Sequence, residues 1–272
     1  MQMTVFGSGS AGNCYLLHSP TEALIIEAGV RPEARMYACF GSDFSRLAGL
    51  LVSHRHADHA AYARQWSEGG VPVLATADVM ERCAIHDPFS TTITPGRWAT
   101  VGRFRVLPFP LIHYDPDGTR CPNVGFVIDH PETGRILFAT DCESLSREEL
   151  TPQGMRYTPY QFTGVVHWML EANYDDYILH LSDIPSAQKD RIRQSHLSVA
   201  NAVAILRSAD LSQTRDIMLL HMSERNSVNN ESKITRRVRI ATGKRCFLAR
   251  AGLSVNLSLI HISEPTRRSY IS

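Results

Sequence analysis

Short apolar runs, each ended by glycine, proline or a polar cluster, recur along the whole chain. Runs of this length, rich in β-branched and aromatic residues, read as strands. Met3–Phe6 and Cys14–His18 predict strands around a glycine turn, and Ala23–Glu27 and Leu47–Ser53 predict two more. Val71–Ala75, Gly102–Phe109, Gly164–Leu170, Asp216–Leu220 and Cys246–Ala249 continue the series. Asn123–Asp129 and Arg135–Ala139 predict a hairpin around His130–Gly134. Helices are predicted within Arg31–Ser45, over Ala60–Glu68 up to Gly69-Gly70, and over Ala77–Ala84, Leu197–Ser208 and Lys233–Ile240. Strands dominate early and then mix with helices in both halves, without repeats, low-complexity stretches or long linkers. That order predicts an α/β layered fold.

Composition narrows the class. With 272 residues, 43% of them hydrophobic and 20% charged, the chain is an ordinary globular protein with ample length for a core. No apolar run approaches the ~20 residues of a membrane span. Met-Gln-Met-Thr leads straight into a strand, so the reading is a cytoplasmic protein without a signal peptide, which disfavours a secreted β-lactamase. The six cysteines are scattered, with no Cys-X-X-Cys pair, as expected of small buried thiols in a reducing compartment. Cys142 follows Asp141 but is not taken as a ligand.

The chemistry concentrates in one place. The run Leu47-Ala48-Gly49-Leu50-Leu51-Val52 leads through Ser53 into His54-Arg55-His56-Ala57-Asp58-His59. Imidazole nitrogens and carboxylate oxygens are donors that zinc, manganese and iron accept. Neighbouring side chains on one turn point to different sides, so the turn can serve two cations. A pair of cations about 3.5–4 Å apart activates water and neutralises the oxygens of a displacement reaction. The plain alternative is a polar helix start with Asp58 and His59 capping a first turn. Four donors in six positions behind a buried strand favour ligation. Three more donors stand just past apolar runs: His113 after Phe109–Ile112, Asp141 after Ile136–Thr140 and His221 after Ile217–Leu220. A strand fixes such a donor and the rim of its sheet leaves room for substrate; taken singly, each could instead be a surface loop residue. His18, His86 and His130 read as turn residues, His167 as a hydrogen-bonded core histidine, and His180 receives no role.

His-X-His-X-Asp-His after a hydrophobic strand resembles the metallo-β-lactamase fold superfamily. Phe6-Gly7-Ser8-Gly9-Ser10-Ala11-Gly12-Asn13-Cys14-Tyr15-Leu16-Leu17 resembles the opening of its YycJ/WalJ-like branch. Leu170-Glu171-Ala172-Asn173-Tyr174-Asp175, Ser195-His196-Leu197-Ser198 and Leu220-His221-Met222-Ser223-Glu224-Arg225-Asn226 follow in the family's order, so the resemblance covers about residues 4–256. It implies one domain over 1–256, an αββα sandwich of two facing mixed sheets with helices outside. It also implies two divalent cations, zinc or manganese with iron acceptable. His54, His56 and His113 would hold the first and Asp58, His59 and His221 the second, with Asp141 bridging and Asp58 also part of the catalytic set. One departure is Glu27, where relatives usually carry Asp as a support beneath the metal turn. The longer carboxylate shifts that support without removing a ligand.

Glu171 and His196 select the reaction. Their blocks resemble those of RNase Z-type phosphodiesterases, in which the Glu orients the His and the His assists departure of an alkoxide. A histidine of ordinary pKa about 6.5 can supply that proton, and a nearby carboxylate holds it in place. The alternative is that His196 only starts a helix and Glu171 only makes an ion pair. The reading is a metal-dependent phosphodiester hydrolase, exonuclease-like, acting on nucleic acid or nucleotides, with a homodimer suggested only by analogy to relatives. A cyclic-nucleotide phosphodiesterase, an acyl hydrolase cleaving a lactone, thioester or β-lactam, and a non-enzymatic scaffold remain as alternatives. No long Gly-Pro-rich arm of the RNase Z kind is visible.

Leu257–Arg267 resembles the conceptual translation of a transposase adaptor used in sequencing libraries, which implies that 257–272 is a non-native tail and sets His261 aside. Removing the tail's Arg267, Arg268 and Glu264 turns 28 basic and 27 acidic residues into 26 and 26. Against that neutral background, Lys233, Arg236, Arg237, Arg239, Lys244, Arg245 and Arg250 form a run without an acid. The run is either a phosphate-holding face or a solvated helix and strand.

Overall fold

A computed structural model of the chain describes residues 1–41, 44–223, 225 and 231–259. Alternation along the strands decides its layers. Met3, Val5, Tyr15, Leu17, Leu24, Ile26 and Leu51 face one way from four neighbouring strands, whereas Leu16, Ile25, Leu50 and Val52 face the other. The first sheet runs Ser254–Asn256, Gln2–Gly7, Cys14–His18, Ala23–Ile26, Leu47–Val52, Val73–Ala75, Thr91–Thr92, parallel from Ala23–Ile26 onward. The second runs Ala99–Val101, Phe104–Leu111, Asn123–His130, Gly134–Ala139, Val165–Glu171, Asp216–Leu220, Arg245–Leu248, with its last four strands parallel.

The inner faces meet in a core that includes Phe104, Phe126, Ile136, Phe138, Met169 and Met218 of the second sheet. Tyr15 and Phe138 touch edge-on across it at 5.6 Å. Each fully buried side chain of this kind contributes about 1.5–3 kcal/mol. The outer face of the first sheet takes Met36, Phe40, Trp66 and Val79 from helices Ala34–Phe40, Ala63–Glu68 and Ala77–Arg82. The outer face of the second takes Val199, Ala202 and Leu206 of helix Val199–Ser208 and Ile234 and Val238 of helix Glu231–Thr242. The result is helix–sheet–sheet–helix, the expected α/β sandwich of two facing mixed sheets.

Parallel strands end at a common rim. His54, Asp141, Glu171 and His221 all sit at the exits of such strands, and His113 leaves the antiparallel Phe104–Leu111 at the same rim.

Several elements depart from the expectations. Ala57–Ala60 is a separate helical turn and the helix resumes at Ala63, because Tyr62 (φ −112°, ψ 10°) leaves helical geometry. His130 is no turn residue. It ends a strand, is buried, lies 3.1 Å from Glu22 Oε2 and stacks on Phe104 at 4.4 Å. His167 is a core histidine as expected, donating from Nε2 to the Leu257 carbonyl at 3.0 Å. All six cysteines are free; Cys39 and Cys83 are half-buried rather than buried. Unforeseen elements include the hairpin Ser146–Thr151/Gly154–Pro159, the helices Asp176–Leu181 and Ser186–Ser195, and the short strands Thr91–Thr92, Ala99–Val101 and Ser254–Asn256. Packing runs past residue 256, since Leu257 is buried in the inter-sheet core. His261, with the rest of 260–272, and Glu224 and Asn226 of the His221 block lie outside the described residues. Among the described residues no helix is long and apolar enough to cross a membrane.

Candidate metal centre

The histidine turn is clamped to the first sheet through its backbone. Asn13 N donates to the Asp58 carbonyl (2.7 Å), Ala28 N to the His59 carbonyl (2.6 Å) and Gly29 N to the Asn13 carbonyl (2.9 Å). Gly29 is required by this approach: a Cβ there would lie 1.8 Å from the Asp58 carbonyl oxygen. Glu27, at φ 67°, reaches up so that Oε2 lies 3.5 Å from His59 Nδ1. Asp141 (φ 50°) and His221 (φ 51°) are also left-handed. That conformation costs an L residue about 1–3 kcal/mol and recurs where side chains must be aimed.

The aim is inward. His54, His56, His113 and Asp141 place one donor atom each within 4.8 Å of one another, and so do Asp58, His59, Asp141 and His221. Asp141 belongs to both groups, and each group draws two residues from each sheet. His113 Nε2 and His56 Nδ1 are 3.0 Å apart, and His54 Nε2 is 3.7 Å from Asp141 Oδ2. On the other side, His59 Nε2 is 3.4 Å from both Asp58 Oδ2 and Asp141 Oδ2, and His221 Nε2 is 3.4 Å from Asp58 Oδ2. All seven residues marked in the sequence as metal donors thus converge.

Glu171 and His196 meet beside them. His196 Nδ1 lies 2.8 Å from Glu171 Oε1, and Oε2 of the same carboxylate accepts from Cys142 N (3.0 Å) and Leu197 N (3.1 Å). Glu171 is buried, whereas the His196 side chain keeps 21% exposure. Among the described residues nothing hydrogen-bonds His196 Nε2, so it stands free at the rim.

A family model described as the β-lactamase superfamily domain matches residues 29–222. The chain belongs to the β-lactamase superfamily. Its fold is that of the metallo-β-lactamase proteins, and membership makes it a hydrolase of that fold. A curated superfamily relative, exodeoxyribonuclease YycJ of Bacillus anthracis, is 23% identical over 252 residues, covering 86% of this chain and 87% of that one. The solved metallo-β-lactamase fold protein YhfI of Bacillus subtilis superposes with a TM-score of 0.66 at 15% identity, over 93% of this chain and 98% of its own. The short form of human tRNase Z superposes with a TM-score of 0.57 at 15% identity, over 95% and 100%.

The donor set of this superfamily member suits a cation pair. His54 Nε2 and His221 Nε2 are buried without a hydrogen-bond partner. An unsatisfied buried polar atom costs about 1–3 kcal/mol, which ligation would offset. The two sides differ in charge. Burial and the neighbouring His59 and His113 push His54 far below the ordinary histidine range, and burial takes His113 down to about 4. These rings are neutral donors. On the other side burial is outweighed: Asp141, Asp58 and Glu171 lift His221 to about 10, and Asp141 and Glu27 lift His59 well up. The same imidazoles overcome the burial of Asp141 and Asp58 and hold both carboxyls below the usual range.

Three supporting residues escaped the sequence reading. Asp115 Oδ1 lies 2.8 Å from His56 Nε2, and Arg55 bridges Asp115 to Asp78. Asn13 Nδ2 is 3.0 Å from His59 Nε2, and Asn173 Nδ2 donates to the His221 carbonyl at 2.8 Å. Asn13 and Asn173 stand inside the quoted family blocks, which was the available signal. Asp115 follows His113 by two positions and had none beyond that.

Proposed function

We propose that this chain is a two-metal phosphodiesterase that acts on nucleic acid, with exonuclease action on DNA ends. His54, His56 and His113 would hold one cation, Asp58, His59 and His221 the other, and Asp141 both. Zinc or manganese suits this set, and iron is acceptable. When bound, the cations supply an activated water and neutralise the growing charge on the phosphate oxygens. The remaining work falls to the protein. Glu171 accepts the Nδ1 hydrogen of His196 and fixes the plane of the ring. His196 then donates its Nε2 proton to the leaving oxygen, which departs as an alcohol rather than an alkoxide.

The observation that carries this reading is the Glu171–His196 pair: a 2.8 Å contact from a buried carboxylate to a partly exposed histidine. The B. anthracis relative, an exodeoxyribonuclease by name, supports DNA as substrate. Residues 1–256 together with the packed Leu257 would form one domain, with a cytoplasmic location.

The test compares leaving groups. Replacing His196 by Ala should slow cleavage of DNA by about 10²–10⁴-fold. A 4-nitrophenyl phosphodiester, whose leaving group needs no proton, should lose far less, with metal content unchanged. Equal losses on both substrates, or unchanged DNA cleavage, would reject the acid role. Unchanged turnover of a lactone or thioester with no phosphodiesterase activity would favour the acyl hydrolase.

A further inference from the structure

The acid-free basic run has a place in the fold. Arg207 of helix Val199–Ser208 and Lys233, Arg236 and Arg237 of helix Glu231–Thr242 line one groove of about 630 Å³ between the two helices. Val203, Ile240 and Ala241 complete its lining, and among the described residues no acid contributes. Arg207, Lys233, Arg236 and Arg237 are exposed, and none has an ion-pair partner among the described residues. Four clustered cations on a chain of formal charge +1 create a local positive field.

Topology orients this groove. Helix Val199–Ser208 is capped by Ser198, two residues after His196, and Leu197 N is bonded to Glu171. Each of the two helices precedes a parallel strand that exits at the site's rim, Asp216–Leu220 and Arg245–Leu248. Both helices therefore run away from that rim. Arg207, nine residues beyond the cap, stands about 14 Å along its helix. The groove thus lies along one direction leading away from His196.

We propose that the groove binds the phosphate backbone of a nucleic-acid strand whose terminal phosphodiester sits at the site. This rests on the phosphodiesterase reading and deepens it, since a small cyclic nucleotide would never reach Arg207. A membrane surface fits less well. The apolar face of helix Glu231–Thr242 is spent on the core through Ile234 and Val238, which leaves only Ile240 exposed for insertion.

The test uses the full chain without added metal, a fluorescent single-stranded DNA 12-mer and anisotropy at several salt concentrations. Wild type is compared with the double variant Arg207→Ala/Arg236→Ala. Each phosphate contact removed from a single strand lowers the slope of log K against log salt by about 0.7, so the pair should lower it by about 1.4. Affinity near 0.1 M salt should fall about tenfold or more. In the metal-loaded protein, turnover of bis(4-nitrophenyl) phosphate should stay within about twofold of wild type, because the small ester does not reach the groove. Equal slopes and affinities in the two proteins would overturn the proposal. So would binding of phosphatidylserine vesicles that the double variant loses while its DNA affinity is unchanged. If wild type fails to turn over the small ester, the phosphodiesterase reading falls, and the DNA titration still decides the groove.

Discussion

A histidine that is to give one ring nitrogen to a cation needs its other nitrogen held, and His56, proposed as such a ligand, has Asp115 at 2.8 Å. Burial pushes the Asp115 carboxyl upward, but His56 and Arg55 outweigh it and keep it ionised. An ionised partner fixes the ring so that Nδ1 faces His113. Outer partners of this kind are worth about 10–100-fold in metal affinity. Asp115→Asn should therefore weaken cation binding by about that factor in a chelator competition titration, with the far-UV spectrum unchanged. Affinity equal to wild type would mean that His56 is oriented by its backbone alone. The donors themselves are legible in the sequence because the histidine turn is contiguous and His113, Asp141 and His221 each follow an apolar run. Asp115 is not, because only the fold of the 113–121 loop turns it back onto His56.

Elements with an unbroken apolar run are read correctly to within a few residues, as Cys14–His18 and Asp216–Leu220 show. Their side chains are buried, so burial left its mark on composition. The hairpin Ser146–Thr151/Gly154–Pro159 left none: Leu150, Met155 and Tyr157 are exposed, and its strands pair mainly with each other. The helical turn Ala57–Ala60 was hidden for another reason. It exists because two backbone hydrogen bonds link it to Asn13 and Ala28, and no local periodicity encodes those. Gly29 is where that clamp is most exposed to substitution. Gly29→Ala drives a methyl group into the Asp58 carbonyl and should destabilise the protein by about 3 kcal/mol while displacing Asp58 and His59. Denaturant unfolding, paired with a count of bound metal, checks this. A variant with wild-type stability and two cations per chain would show that the turn can retreat freely.

At the scale of the molecule, the two sheets are joined at both ends. Opposite the metal rim, Glu22 of the first sheet's turn accepts from Arg103 N (2.7 Å) and Arg103 Nε (3.0 Å) and pairs with His130 (3.1 Å), all from the second sheet. Burial raises the Glu22 carboxyl, but those hydrogen bonds win and leave it below its ordinary 4.5. Burial lowers His130 more than Glu22 raises it. Both groups favour the folded state in their deprotonated form. Their contribution is complete above the unfolded pKa values and is lost as pH falls through the folded ones. Glu22→Gln should lower Tm by about 2–4 °C at neutral pH. That gap should close as the pH is taken down through the carboxylate range, and a gap constant across pH would contradict the assignment.

The two donor groups proposed to hold cations each take two residues from one sheet and two from the other, and Asp141 stands in both. A cation seated there acts as a rivet through the seam of the sandwich. Chelation would loosen the seam, and heat that parts the seam would scatter the donors. On the proposed ligation, losing metal and losing shape would be the same event approached from opposite directions.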